Sequence, residues 1–211
     1  MRAVGIILAG GNNNRMKELT HKRAVAAMPI AGSYRSIDFA LSNMTNSHIQ
    51  KVAVLTQYNA RSLNEHLNSS KWWNFGRKQG GLYVFTPTIT NDNGYWYRGT
   101  ADAIYQNMEY IEKYNPEYVL ILGGDHIYKM DYEVMLDYHK AKGADVTIAC
   151  MPVPWAEASR FGVVIADDNG NIKDFEEKPP KPSSNLASMG IYIFSWPVLK
   201  EALLALKDQN G

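Results

Sequence analysis

The apolar positions of this chain fall into two kinds of block. Residues 3–9 (Ala-Val-Gly-Ile-Ile-Leu-Ala), 51–56 and 118–122 are short, nearly unbroken apolar runs. Such runs predict strands buried on both faces, as in a parallel sheet. Between them the spacing turns helical. Ile37, Leu41 and Met44 predict a helix over 36–46. Ala101, Ile104, Met108 and Ile111 predict one helix over 100–114, with Thr100 as N-cap and Asp102 facing the positive helix start. Further helices are expected over 62–67, 132–142 (stopped by Gly143) and 196–207, and strands over 81–85, 145–153 and 188–194. The runs at 162–166 and 172–177 flank Asp167-Asp168-Asn169-Gly170, which is hairpin chemistry. Residues 10–35 read as one long loop and 178–184 as a Pro-rich loop.

This order of strands and helices predicts an α/β fold with a mostly parallel, mixed sheet covered by helices, in one domain over 1–211. Ligands of such sheets bind outside the carboxyl ends of the strands. Composition changes little: 45% hydrophobic and 20% charged is ordinary for a globular chain. The formal net charge of +1 gives no field to hold nucleic acid or a membrane surface, so a small-molecule partner fits better. Cys150 is the only cysteine, which excludes an internal disulfide and a cysteine-based zinc site and suits the cytoplasm. The first apolar run is too short to span a bilayer and has no cleavage pattern after it, so it reads as a strand rather than a targeting segment.

Two places carry candidate chemistry. After the first strand comes Leu8-Ala9-Gly10-Gly11-Asn12-Asn13-Asn14-Arg15-Met16. Small residues let backbone N–H groups approach phosphate oxygens, and Arg15 can neutralise charge on a transferring phosphoryl group. A plain Gly-Asn turn accounts for the same residues, and the spacing is neither a Walker A loop nor a dinucleotide fingerprint. After the strand at 118–122 comes Gly123-Gly124-Asp125-His126. A carboxylate at that edge can hold Mg²⁺ against phosphates, or merely cap a turn. His126 reads as a turn residue, Asp167 and Asp168 as an exposed turn, and Met108, Met130 and Met135 as core filler. Trp72, Trp73 and Phe75 read as packing rather than carbohydrate stacking.

Longer strings carry a resemblance. They include Tyr34-Arg35-Ser36-Ile37-Asp38-Phe39, Leu41-Ser42-Asn43, Leu55-Thr56-Gln57-Tyr58 and Trp96-Tyr97-Arg98-Gly99-Thr100-Ala101-Asp102-Ala103. Gly124-Asp125-His126-Ile127-Tyr128-Lys129-Met130-Asp131, Ser159-Arg160-Phe161-Gly162, Phe175-Glu176-Glu177-Lys178-Pro179 and Ala187-Ser188-Met189-Gly190 follow in order. With Leu8-Ala9-Gly10-Gly11 and Arg15, they resemble the glucose-1-phosphate adenylyltransferases across nearly the whole chain. The resemblance implies a Rossmann-like nucleotidyltransferase domain that moves AMP from ATP to glucose 1-phosphate for glycogen synthesis. It implies Leu8, Ala9, Gly10, Gly11 and Arg15 at the ATP phosphates, and Gln57, Gly99 and Thr100 at adenine and ribose. Asp125 would bind Mg²⁺, and Tyr97, Gly162, Glu177, Lys178 and Ser188 would form the sugar-phosphate pocket.

One departure matters. Where the family reads Ala-Lys-Pro-Ala-Val-Pro, this chain has Ala24-Val25-Ala26-Ala27-Met28-Pro29. Val25 removes a cation expected at the phosphates, and Lys22 and Arg23 are its nearest stand-ins. Asn13 replaces a common glycine. These features resemble a weakly active regulatory paralogue that pairs with a catalytic subunit, whereas the chain from Ala101 onward resembles the catalytic type. The resemblance also implies a homo- or hetero-oligomer, and a second metal carboxylate and C-terminal β-helix that lie beyond Gly211.

Overall fold

The structure, a computed structural model, describes residues 2–11, 14–68, 73, 75, 81–88 and 96–210; side chains are described for all of these except 14, 15 and 207–210. Two compact units form, Met1–Val146 with Ile193–Gly211, and Thr147–Tyr192.

In chain order the first unit holds β1 (Ala3–Leu8), β2 (Pro29–Ile30), β3 (Tyr34–Arg35), α1 (Ser36–Asn46), β4 (Lys51–Leu55), α2 (Arg61–Leu67) and β5 (Gly81–Phe85). These are followed by α3 (Thr100–Gln106), α4 (Met108–Tyr114), β6 (Tyr118–Gly123) and α5 (Tyr132–Lys142). The chain crosses to the second unit along β7 (Val146–Pro152), which leads to α6 (Trp155–Ala158), β8 (Gly162–Ala166) and β9 (Ile172–Glu177). It returns along β10 (Leu186–Ser195) to α7 (Trp196–Asn210).

The apolar runs become the core of the first unit. Strands β5, β4, β1 and β6 lie side by side in that order, all parallel. Ile6, Ile7, Val54, Leu55 and Leu122 are buried, as expected for strands covered on both faces. At Gly5 a β-carbon would lie 2.7 Å from Met44 Sδ, so the missing side chain lets α1 pack directly on β1. In the second unit, β8 pairs antiparallel with β9 and with β10, and β7 also pairs with β10. The Asp167 carboxylate closes the hairpin: it accepts from the Asn171 side chain and from the Asn169 and Asn171 N–H groups. Those bonds, the Asn171 side chain foremost, draw its pKa down to about 2.

Three expectations are corrected. The helix over 100–114 is divided at Asn107 (φ −110, ψ 15). Asn107 Nδ2 donates to the Tyr97 hydroxyl (3.0 Å) and to the Ala103 carbonyl (2.8 Å), and its N–H turns to Ile104 O. Local amide bonds of this kind compete with the helical ladder, and an apolar stripe does not register them. Within that stripe Ala101 is exposed and Ala103 is buried instead. Secondly, Gly99 takes the cap position and Thr100 is the first helical residue; the Asp102 carboxylate steadies the start by accepting from Arg98 N–H at 2.8 Å. Thirdly, the stretch 10–35 is not one plain loop. It contains 3-10 turns at Asn14–Leu19 and Val25–Ala27 and the β2–β3 hairpin. Trp73 and Phe75 are buried, as are Met108 and Met135, in keeping with packing roles. Trp72, Asn12 and Asn13 lie outside the described residues.

His139 on α5 is 1% exposed, with Nε2 3.1 Å from Ser195 Oγ and its ring edge against Tyr118. Burial holds the imidazole pKa below its usual value, and Asp145 pulls weakly the other way. A depressed folded-state pKa means that the unfolded chain takes up the proton first. Stability is therefore expected to fall as pH drops through about 6.5, the ordinary histidine range. Denaturant midpoints at pH 7.5, 6.5 and 5.5 should show this slope, and His139→Gln should flatten it.

Candidate active site at the strand ends

Because β1 pairs in parallel with both β4 and β6, the register decides where the loops emerge. Leu8 lies opposite Leu55 on one side and opposite Gly123 on the other. The three strands therefore end level, and the segments Ala9-Gly10-Gly11, Thr56-Gln57 and Gly124-Asp125-His126 leave from one edge. Backbone bonds carry the ladder past the strand ends: Ala9 N–H donates to Leu55 O (2.8 Å) and Gly124 N–H to Leu8 O (2.9 Å). The Thr56 hydroxyl reaches Ala9 O at 3.4 Å. Of the residues expected at the nucleotide, Leu8, Ala9, Gly10 and Gln57 are thus brought together; a β-carbon on Gly10 would touch Gln57 Cγ at 3.4 Å. Among the described residues, nothing lies within 4 Å of a β-carbon placed on Gly11. The side chain of Arg15 lies outside the described residues.

The Asp125 turn is fitted against its surroundings. A β-carbon on Gly124 would lie 3.0 Å from Ala26 Cβ and 3.3 Å from Ile7 Cγ2, so the glycine lets the Val25–Ala27 turn close tightly on it. Asp125 itself is exposed, as a cation ligand at a sheet edge must be. His126 is more than a turn residue. Its Nδ1 meets the Tyr128 hydroxyl at 3.0 Å and its ring stacks on Tyr128. Burial lowers its pKa, against an opposing pull from Asp125. Burial likewise raises that of Tyr128.

The Val25–Ala27 turn is fastened from α1. The Ser36 hydroxyl donates to Val25 O (2.9 Å) and Arg35 Nη1 to Ala27 O (2.7 Å). Arg35 N–H in turn donates to Asp38 Oδ2, and Asp38 Oδ1 meets His66 Nε2 at 2.6 Å. Val25 is half-buried, whereas Lys22 and Arg23 are exposed. These backbone fastenings have no sequence signature; a hydroxyl at 36 and a carboxylate at 38 are the only marks they leave.

Gln57 holds the backbone of Tyr97 at both ends: Tyr97 N–H donates to Oε1 (3.0 Å) and Nε2 donates to Tyr97 O (3.5 Å). Gly99 and Thr100 follow two and three residues later, so this clamp ties them to the edge. Tyr97 is buried, and burial raises its phenol pKa while the bond from Asn107 works in the opposite direction. A cavity of about 610 Å³ opens beside Tyr97, walled in part by Thr86, Thr88, Met108 and Leu204. Among the described residues neither Gly10 nor Asp125 lines it.

In the second unit four expected residues gather. Gly162 pairs with Glu177 across β8 and β9, and Lys178 follows with Nζ 3.0 Å from Glu177 Oε1. The pairing of Ala187 with Val163 sets Ser188 opposite Gly162. Ser188 Oγ lies 3.2 Å from the Tyr192 hydroxyl and accepts from Gly190 N–H. Both Glu177 and Lys178 are exposed, a surface pair that costs little to break. Tyr97, expected with this group, belongs to the first unit. The neighbouring Glu176, given no site role by the sequence, accepts from Ser183 N–H and Oγ and anchors the Pro-rich loop.

Gln57→Ala should free the Tyr97 segment. Losing two hydrogen bonds predicts a stability loss of about 1–2 kcal/mol. Amide exchange at Tyr97 should quicken about tenfold, while that of the β1 core amides changes less.

Comparison with known proteins fits this geometry. The nucleotidyl transferase family profile matches residues 4–211. A glucose-1-phosphate adenylyltransferase of Lachnospira eligens is 59% identical over 207 residues, 98% of this chain and 49% of that protein. The enzyme of the same name from Desulfitobacterium hafniense is 55% identical over 95% of this chain and 50% of its own length. That of Thermosipho africanus is 52% identical over 99% and 51%. The chain thus spans about half the length of the curated relatives it matches.

Proposed function

Since the chain belongs to the nucleotidyl transferase family, we propose that it carries the nucleotidyl-transfer machinery of a glucose-1-phosphate adenylyltransferase. In that reaction a phosphate oxygen of glucose 1-phosphate attacks the α-phosphorus of ATP. The bond from the α-phosphorus to the bridging oxygen breaks, pyrophosphate leaves, and ADP-glucose remains. No protein nucleophile is required, so positioning and charge neutralisation supply the rate.

The observation that carries this reading is the common edge formed by Gly10, Gln57 and Asp125, fixed by parallel pairing on both sides of β1. Backbone N–H groups of Gly10 and Gly11, with Arg15, would meet the ATP phosphates. Gln57 would act by holding the segment that leads to Gly99 and Thr100 at the adenosine. Gly162, Glu177, Lys178 and Ser188 would receive the sugar phosphate, Lys178 as a point charge and Glu177 as an acceptor for sugar hydroxyls.

Among the described residues no group of three or more His, Cys, Asp or Glu side chains could hold a metal by itself. An exposed single carboxylate nevertheless suits Mg²⁺, which keeps waters and takes further ligands from substrate phosphates. Asp125 would hold it, and when bound the ion supplies neutralisation of phosphate charge. Among the described residues no helix is long and apolar enough to cross a membrane. The reading extends to a cytoplasmic protein of glycogen synthesis working as a homo- or hetero-oligomer.

Val25 supports a second reading, a regulatory subunit that binds nucleotide or sugar phosphate and partners a catalytic chain. A missing transition-state cation lowers turnover by a few hundredfold, or about 3 kcal/mol. The test is Mg²⁺-dependent pyrophosphate release from ATP and glucose 1-phosphate. For the enzyme, turnover is expected, Asp125→Asn should reduce it at least a hundredfold, and Val25→Lys should change it little. An inert protein that Val25→Lys activates is the regulatory subunit.

A further inference from the structure

Asp125 sits on a turn whose other end is fastened by α1. The Asn43 side chain, 6% exposed, faces the segment just after Asp125 and bonds it with both halves of its amide. Nδ2 donates to Tyr128 O at 2.8 Å, and Oδ1 accepts from Met130 N–H at 3.3 Å. Nδ2 also lies 3.5 Å from the buried Tyr132 hydroxyl. One turn further along, Ser47 Oγ accepts from Tyr132 N–H at 2.8 Å and lies 3.3 Å from Asp131 Oδ1. A backbone carbonyl and a backbone N–H two residues apart are thus matched by one planar amide, which no other side chain of that size reproduces. Tyr128 is also the residue that stacks on and bonds to His126, next to Asp125. The other flank of the turn is closed by Ala26 against Gly124. The Tyr128–Met130 side is held by side-chain hydrogen bonds.

We propose that Asn43 is a positioning residue for the candidate metal ligand. By holding Tyr128 O and Met130 N–H it fixes the direction in which the Asp125 carboxylate presents itself to a divalent cation. The proposal rests on the reading of Asp125 as that ligand. Residues that orient a metal ligand without touching the ion are worth about 10- to 100-fold in affinity.

The experiment is a Mn²⁺ titration of the protein, followed by water-proton relaxation, for the native chain, Asn43→Asp, Asp125→Asn and the double variant, with thermal midpoints measured alongside. Asn43→Asp keeps size and shape but cannot donate to the Tyr128 carbonyl. Its added negative charge would by itself strengthen cation binding, so a weaker affinity reports a displaced turn. About tenfold weaker Mn²⁺ binding in N43D is expected, with no further loss when it is added to Asp125→Asn, because one acts through the other. If N43D lowers the thermal midpoint while Mn²⁺ affinity stays native and Asp125→Asn abolishes binding, Asn43 is structural only and the proposal falls. If Asp125→Asn leaves Mn²⁺ binding unchanged, the reading of Asp125 itself falls and takes the proposal with it. Should N43D not fold, Asn43→Ser, which buries no charge, is read by the same outcomes.

Discussion

The double pairing of β1 is the constraint on which the candidate site depends. A strand bonded in parallel on both sides cannot slip on one side without breaking the ladder on the other. A slip of one residue would also turn Ile6 and Ile7 over to the opposite face. Leu8 is therefore held level with both Leu55 and Gly123, and three loops start from one line. None of Gly10, Gln57 and Asp125 is near another in sequence. Their common edge follows from the backbone pairing of largely apolar strands.

The second layer of order comes from α1, which lies against β1 at Gly5 and reaches loops on either side of Asp125. Ser36 at its start and the preceding Arg35 hold the Val25–Ala27 segment, while Asn43 and, just past its end, Ser47 hold the segment after Asp125. Every one of these bonds involves a main-chain group of the loop. Loops that carry their own backbone donors and acceptors into a half-buried place must find partners for them. Polar residues on the buried face of α1 supply those partners where an all-apolar stripe would leave them unsatisfied.

Most of the fold was legible because burial leaves a strong periodic mark. The runs around Ile6, Val54 and Leu120, and the Gly143 stop after α5, stand in the chain where the structure has them. What escaped were features set by single polar atoms. Asn107 breaks a helix whose apolar spacing runs straight through it, and the short pieces inside residues 10–35 are held by Asn59 and Ser36 from outside the stretch and by Arg35 at its end. The candidate site was legible in its glycines and in Asp125, which mark a close backbone approach at a strand end. It was not legible in Asn43, nor in the clamp that Gln57 makes on Tyr97, because these bonds go to main-chain groups 85 and 40 residues away in sequence.

The same distinction bears on Val25. The turn that contains it is held by the carbonyls of Val25 and Ala27 and by the packing of Ala26 on Gly124, not by the side chain at position 25. Its shape is therefore set by Ser36, Arg35 and the glycine, and a lysine at 25 would inherit the same backbone. Loss of the cation and loss of the loop are separate events here. On the proposed reading, a chain that keeps the fastenings of this loop while lacking its charge would keep the backbone it offers to phosphates and give up one cation. On that same reading, binding and turnover at this edge would depend on different atoms: the first on main-chain groups that α1 and β1 hold in place, the second on the charges that the loop presents.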